Sequence, residues 1–262
     1  MDVEKIDKIM NSHNYDPLID YTVTDIPSPD VSLSDIVFIF FNGVFWNIIT
    51  LDTVTRYPII YNKYASDNSQ IDVSVIICPL TLRSTIVKGK FRFVKYENAT
   101  MILTNDDNDL LRNDIGMIVN EKHQVMPNKR FEIKIKTLRS ALIDFQDCKY
   151  LNPVEKKNPI INNKYYLNDL SIDGSRISSD IHPKTLVMVI QYLSSKGENK
   201  NTVIVGADAQ KIKATGYDDK STYFNKYLKK YYDKMIERKG YVINILWCYV
   251  KYIYKNAKII YL

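Results

Sequence analysis

Catalysis in this 262-residue chain would rest on Cys78, in the phrase Ile77-Cys78-Pro79-Leu80, and on His182, in His182-Pro183-Lys184-Thr185-Leu186-Val187. A cysteine becomes a nucleophile when a neighbouring base or cation lowers its pKa, and histidine titrates in the right range to be that base. Cys78 and His182 are therefore the candidate catalytic residues, as a Cys–His dyad. Each also has a plainer reading. Free cysteine is among the most buried residue types, so Cys78 reads as a small core residue at a strand end, locked by Pro79. A residue before proline is pushed toward extended geometry, so His182 reads as the turn into the strand that follows it.

Other chemistries find less to build on. His13, His123 and His182 are the three histidines, and Cys78, Cys148 and Cys248 are far apart, so no zinc-type spacing exists and no metal or cofactor is expected. The odd, unpaired cysteines fit a reducing compartment. Asp106-Asp107-Asn108-Asp109 is a hard-oxygen cluster, but Leu110-Leu111-Arg112 supplies neither the glycine nor the terminal glutamate of a calcium loop. Short carboxylates and amides cap their own turns, and this run reads as a solvated hairpin loop.

Charge is concentrated at one end. Residues 196–262 carry 14 Lys or Arg against 6 Asp or Glu, a net of +8 within a total of +6, and half of the 20 tyrosines. Lys226, Lys229, Lys230, Lys234, Arg238 and Lys239 are candidate nucleic-acid contacts, with lysines for phosphates and tyrosines to stack on bases. Such binding would fall steeply with salt, which a titration across ionic strength would report. The plain alternative is an amphipathic helix with a solvated lysine face.

The skew toward Ile, Lys, Asn and Tyr follows AT-rich codons, as in the genome of a large DNA virus. No secretory pattern opens the chain, and its most apolar runs are too short to span a membrane, so the expectation is an intracellular protein (host cytoplasm or virion), not secreted.

The elements that must position these groups are mostly strands. Ile36–Phe41, Val44–Leu51, Val54–Tyr61, Ile71–Cys78, Thr85–Lys95 with a turn at Lys88-Gly89-Lys90, Thr100–Thr104, Ile115–Val119 and Phe131–Ile135 are rich in β-branched and aromatic residues. Residues 147–180 read as a long connection, and Thr185–Tyr192 and Thr202–Val205 as two further strands. Tyr223, Tyr227, Leu228, Tyr231, Met235 and Ile236 share one helical face between Ser221 and Gly240. Tyr241–Leu262 fits helix or paired strands. The expected fold is α+β, mainly β: a distorted sandwich or open barrel with one or two carboxy-terminal helices. The expected organisation is a lead segment at 1–30, a mainly β domain at 31–215, and a basic, Tyr-rich helical segment at 216–262 packed on it.

Read in order, Arg56-Tyr57-Pro58, Ile77-Cys78-Pro79-Leu80, Tyr96-Glu97-Asn98-Ala99-Thr100-Met101, His182 to Val187, and Thr215-Gly216-Tyr217 with Tyr223 and Tyr227 resemble the motifs of the bacterial domain-of-unknown-function family 3179. The resemblance covers most of residues 36–227. It implies that family's scaffold without its polar site. Where the family carries a His-Glu pair, this chain has Ile60-Tyr61-Asn62-Lys63-Tyr64. Where it carries Trp-Ser-Gln, this chain has Leu111-Arg112-Asn113, keeping only Gly116 beyond. The leading functional expectation is thus a non-enzymatic structural or protein-interaction protein, with protein partners or self-association. A nucleic-acid-binding protein and a Cys-dependent enzyme of unknown substrate are the alternatives.

Overall fold

The computed structural model describes residues 2–25, 31–66, 69–113, 117–119, 125–126, 130–131, 133–145, 147–177, 179, 181–193, 199–205, 241–254 and 256–261. It is mainly β, with several open sheets and a helix near the carboxy terminus. The chain divides into two compact units, Met1–Arg176 and Ile177–Leu262.

The first unit begins with helix α1 (Val3–Asn11), capped by the Asp2 carboxylate, which accepts from the Lys5 amide. Its first sheet has the order β1 (Tyr21–Thr24), β14 (Lys149–Pro153), β3 (Trp46–Thr50), β2 (Ile36–Phe41), β13 (Ile133–Thr137). Strand β2 reads Ile-Val-Phe-Ile-Phe-Phe because it is covered on both faces. Val37 and Ile39 pack with Ile48, Tyr150 and α3 (Leu138–Asp144), while Phe38 and Phe40 on the opposite face are also fully buried.

A second sheet, β12 (Arg130–Phe131), β6 (Ser84–Lys88), β5 (Ser69–Ile77), β4 (Ile59–Ser66), is built on a long antiparallel hairpin that pairs Ile59 with Ile76 and Ser66 with Ser69. The third has the order β11 (Val125–Met126), β10 (Met117–Val119), β9 (Leu110–Arg112), β8 (Thr100–Thr104), β7 (Arg92–Glu97). The free edge of β4 is not left open. Leu18 exchanges backbone hydrogen bonds with Ile59 and Tyr61, and the Ala65 amide donates to the Asn42 carbonyl at 2.8 Å. Covered edges of this kind keep a sheet from pairing with other chains.

The second unit holds a single described sheet, β17 (Tyr241–Leu246), β15 (Leu186–Leu193), β16 (Asn199–Val205), β18 (Lys258–Tyr261), with helix α4 (Trp247–Ile253) between β17 and β18. The closing stretch therefore contains both helix and strand. The helix expected between Ser221 and Gly240 lies outside the described residues.

Two sequence expectations are corrected and one helix is added to them. Val54–Tyr61 is not one strand: Leu51–Arg56 is helix α2, and β4 starts only after Pro58. The Thr50 hydroxyl oxygen accepts from the Thr53 amide as an N-cap, and Arg56 makes a bidentate pair with Asp52 one turn back. Capping and a paired i, i+4 contact outweigh the β-branched content of Thr53, Val54 and Thr55. Helix α3, started by Thr137 accepting from the Ser140 amide, was not anticipated. Residues 147–180 are not only a connection, because β14 within them joins β1 antiparallel and β3 parallel.

Candidate functional site

Strands β5 and β6 pair as far as Ile77 opposite Ser84, leaving Cys78-Pro79-Leu80-Thr81-Leu82-Arg83 as the connection. The Cys78 amide donates to the Arg83 carbonyl and the Leu82 amide to the Cys78 carbonyl, both at 2.8 Å, and Leu82 closes the turn at φ 58. Connections usually run over the surface, where water satisfies their backbone. This one is buried at every residue.

Burying a loop leaves its carbonyls in need of donors. Tyrosines supply them. The Tyr166 hydroxyl donates to the Pro79 carbonyl, and the Tyr165 hydroxyl to the Leu80 carbonyl at 3.2 Å. The Asn113 side-chain amide donates to the Arg83 carbonyl at 3.4 Å. The Tyr96 hydroxyl lies 3.3 Å from Cys78 Sγ, and the Tyr15 ring leans on Tyr96 and Phe93 with centroids 5.7 and 4.0 Å away. A collar of Tyr15, Tyr96, Tyr165 and Tyr166 thus closes around the Cys-Pro-Leu turn.

Cys78 is 1% exposed. Burial pushes its thiol up, and hydrogen bonds from Thr81 and Tyr96 offset only part of that rise. Tyr96 and Tyr166 are likewise held protonated, first of all by burial. A protonated thiol enclosed by protonated phenols is a weak nucleophile. Cys148 is buried too, its thiol pushed up to about 11 by burial and by Asp147.

His182 belongs to the second unit and Cys78 to the first, and each is held by contacts inside its own unit. The exposed His182 accepts the Lys184 amide on Nδ1 at 3.3 Å, and its carbonyl accepts from Thr185 at 2.8 Å. The carbonyls of Pro183 and Thr185 then accept from the Cys248 and Trp247 amides at 2.9 and 2.8 Å. The His-Pro-Lys-Thr phrase is a backbone cap on the first turn of α4, which has no side-chain cap of its own.

The cap also buries Lys184. Burial pushes its amine down to about 8 from 10.5, against a smaller upward effect of Cys248. Between those values the unfolded chain holds a proton that the folded one has released. Stability of the second unit is therefore expected to rise with pH from about 8 to about 10.5, by about 3 kcal/mol at most. Urea midpoints measured across that window for the wild type and Lys184→Met test it. The slope should vanish in the variant, and parallel profiles would show that another group titrates.

Lys226, Lys229, Lys230, Lys234, Arg238 and Lys239 lie outside the described residues. Asp106 to Asp109 form the β8–β9 turn, self-capped by Asn105, whose Nδ2 donates to Asp109 at 3.0 Å and whose Oδ1 accepts the Asp109 amide at 2.9 Å. Among the described residues no three His, Cys, Asp or Glu side chains converge as a metal site would require. The tyrosine collar was missed from the sequence, because an abundance of tyrosine was read as codon bias. The adjacent pair Tyr165-Tyr166, in a stretch otherwise dense in Asn, was the available signal. Compared with family models, with curated proteins and with solved structures, the chain matches none.

Proposed function

We propose that this chain is a non-enzymatic structural or protein-interaction protein, on a scaffold resembling family 3179. The observation that carries the reading is the sealed Cys-Pro-Leu turn. Its one reactive side chain is buried, protonated and spent on packing, and its polar neighbours serve backbone carbonyls. The other phrases of the resemblance support it in the same way. Arg56 pairs with Asp52 and donates to the Lys157 carbonyl, and the Tyr57 hydroxyl donates to the Glu155 carbonyl at 2.6 Å. These residues tie one segment to another, which is architecture and not chemistry.

Surface composition favours contacts with proteins. Phe41 packs against Trp46 and Trp46 against Phe145 in tilted pairs, with centroids 5.4 and 4.5 Å apart. The hairpin loop and α3, which flank this cluster, also expose Val44, Leu142 and Ile143. Aromatic and large apolar side chains at a surface bring contact area at low rotamer cost.

Thiol labelling separates this reading from the cysteine-enzyme alternative. The native protein is expected to show no thiol that reacts with an aromatic disulfide reagent on the timescale of free cysteine, and to release all three on unfolding. Rapid native modification mapped to Cys78 would overturn the proposal and restore the dyad.

A further inference from the structure

Strand β7 ends the third sheet, and its outer edge is occupied by side chains instead of a strand. The Tyr96 amide donates to Asn11 Oδ1 at 2.5 Å, and Asn11 Nδ2 donates to the Tyr96 carbonyl at 3.1 Å. One carboxamide thus makes both bonds that the peptide group of a neighbouring strand would make. A turn further back on α1, Asp7 accepts from the amides of Asn98 and Ala99 at 2.6 and 2.9 Å. Those two residues form the tight β7–β8 turn, both at positive φ, 54 and 58. Helix α1 is held down by Ile6 and Met10, both fully buried.

We propose that α1 is a guard that stands in for a strand on the edge of β7, and that the partner it excludes is a second copy of this chain. The strand's own pattern names that partner. Both hydrogen-bonding groups of Tyr96 face outward, so two β7 edges related by a twofold axis at Tyr96 would pair them with each other. In that register Lys95 of one copy lies directly opposite Glu97 of the other, twice. Cross-strand pairs of opposite charge stabilise such an alignment and like charges oppose it. Within one chain Lys95 and Glu97 already meet at 3.0 Å and both are about half exposed, so they are placed to exchange partners. The register shift between Phe93 and Lys95 confines the pairing to the Tyr96 end of the strand. An open edge of this kind is the usual route to edge-to-edge association.

The test uses the full chain. In D7A/N11A, light scattering coupled to gel filtration is expected to show a concentration-dependent dimer absent from the wild type. Adding K95E should return the wild-type mass, and K95E/E97K should restore the dimer. A folded D7A/N11A protein, by near-ultraviolet circular dichroism, with the wild-type mass at every concentration would overturn the proposal. So would a dimer indifferent to K95E. Should the double variant not fold, N11A alone leaves Asp7 and the apolar face of α1 in place. Its Tyr96 amide is then expected to exchange with solvent about tenfold faster. Unchanged exchange would remove Asn11 from the guard and overturn the assignment.

Discussion

Replacing Gly43 by alanine is expected to destabilise the first unit by more than about 3 kcal/mol. Gly43 sits in the loop Asn42-Gly43-Val44-Phe45 that joins β2 to β3, closed by Phe41 opposite Trp46. Its φ is +92, which a side chain resists, and an added Cβ would lie 2.0 Å from the Ala65 carbonyl oxygen and 2.9 Å from its nitrogen. The obstacle is backbone, so no rotamer change relieves it. Ala65 in turn donates to the Asn42 carbonyl, the contact by which this loop covers the edge of β4. Relief of the clash therefore means losing the contact between two sheets. Gly174 is the control: its φ is +78, and nothing lies within 4 Å of where its Cβ would be. Gly174→Ala should cost only the conformational penalty, about 1–2 kcal/mol. Urea denaturation of both variants separates strain from collision. Equal losses would mean that the close approach to Ala65 carries no energetic weight.

Several strands were legible from runs of apolar, β-branched residues. Ile36–Phe41 and Thr100–Thr104 have in the structure the bounds that composition alone gives them, and the Lys88-Gly89-Lys90 turn follows from one glycine, which adopts φ +99. The same signal misled at Val54–Tyr61. There Thr50, Asp52 and Arg56 cap and pair a short helix, and local hydrogen bonds outweigh side-chain branching. Strand β14 was hidden for a different reason. Lys149-Tyr150-Leu151-Asn152-Pro153 has little β character of its own and is a strand because β1 and β3 offer it partners far away in sequence. Tertiary context decides such segments, and a single sequence does not contain it in readable form.

The site was half legible. Cys78-Pro79-Leu80 and His182-Pro183-Lys184 stand out as phrases because proline fixes their backbones, and both prove to be turns that need fixed backbones. What each turn is for depends on donors elsewhere in the chain. Tyr165 and Tyr166 reach the Cys-Pro-Leu carbonyls from some 85 residues away, and Trp247 and Cys248 reach the His-Pro-Lys-Thr carbonyls from more than 60 residues away. Residue types that usually announce chemistry announce here a demand for hydrogen bonds.

Tyr96 joins these threads, and its truncation is the second large effect. Tyr96→Ala is expected to cost about 3–5 kcal/mol, the range for emptying an aromatic site in a packed core. The side chain is buried, its ring touches Tyr15 and Phe93 at 5.7 and 5.6 Å, and its hydroxyl meets Cys78 Sγ. Tyr96→Phe keeps the ring and deletes the hydroxyl with its contact to sulfur, a weak partner, so about 0.5–1.5 kcal/mol is expected. The pair of variants also tests the role of Cys78. If the collar is packing, Tyr96→Phe leaves the Cys78 thiol as slow to label as in the wild type, because the ring still excludes the reagent. Tyr96→Ala opens the collar and should expose that thiol before global unfolding, at denaturant concentrations where Cys148 is still protected. Tyr96→Phe matching Tyr96→Ala in stability would place the energy in the hydroxyl–thiol contact and not in the ring. Faster labelling of Cys78 in Tyr96→Phe would mean that the phenol restrains a reactive sulfur, and the cysteine would then have to be read as chemistry after all.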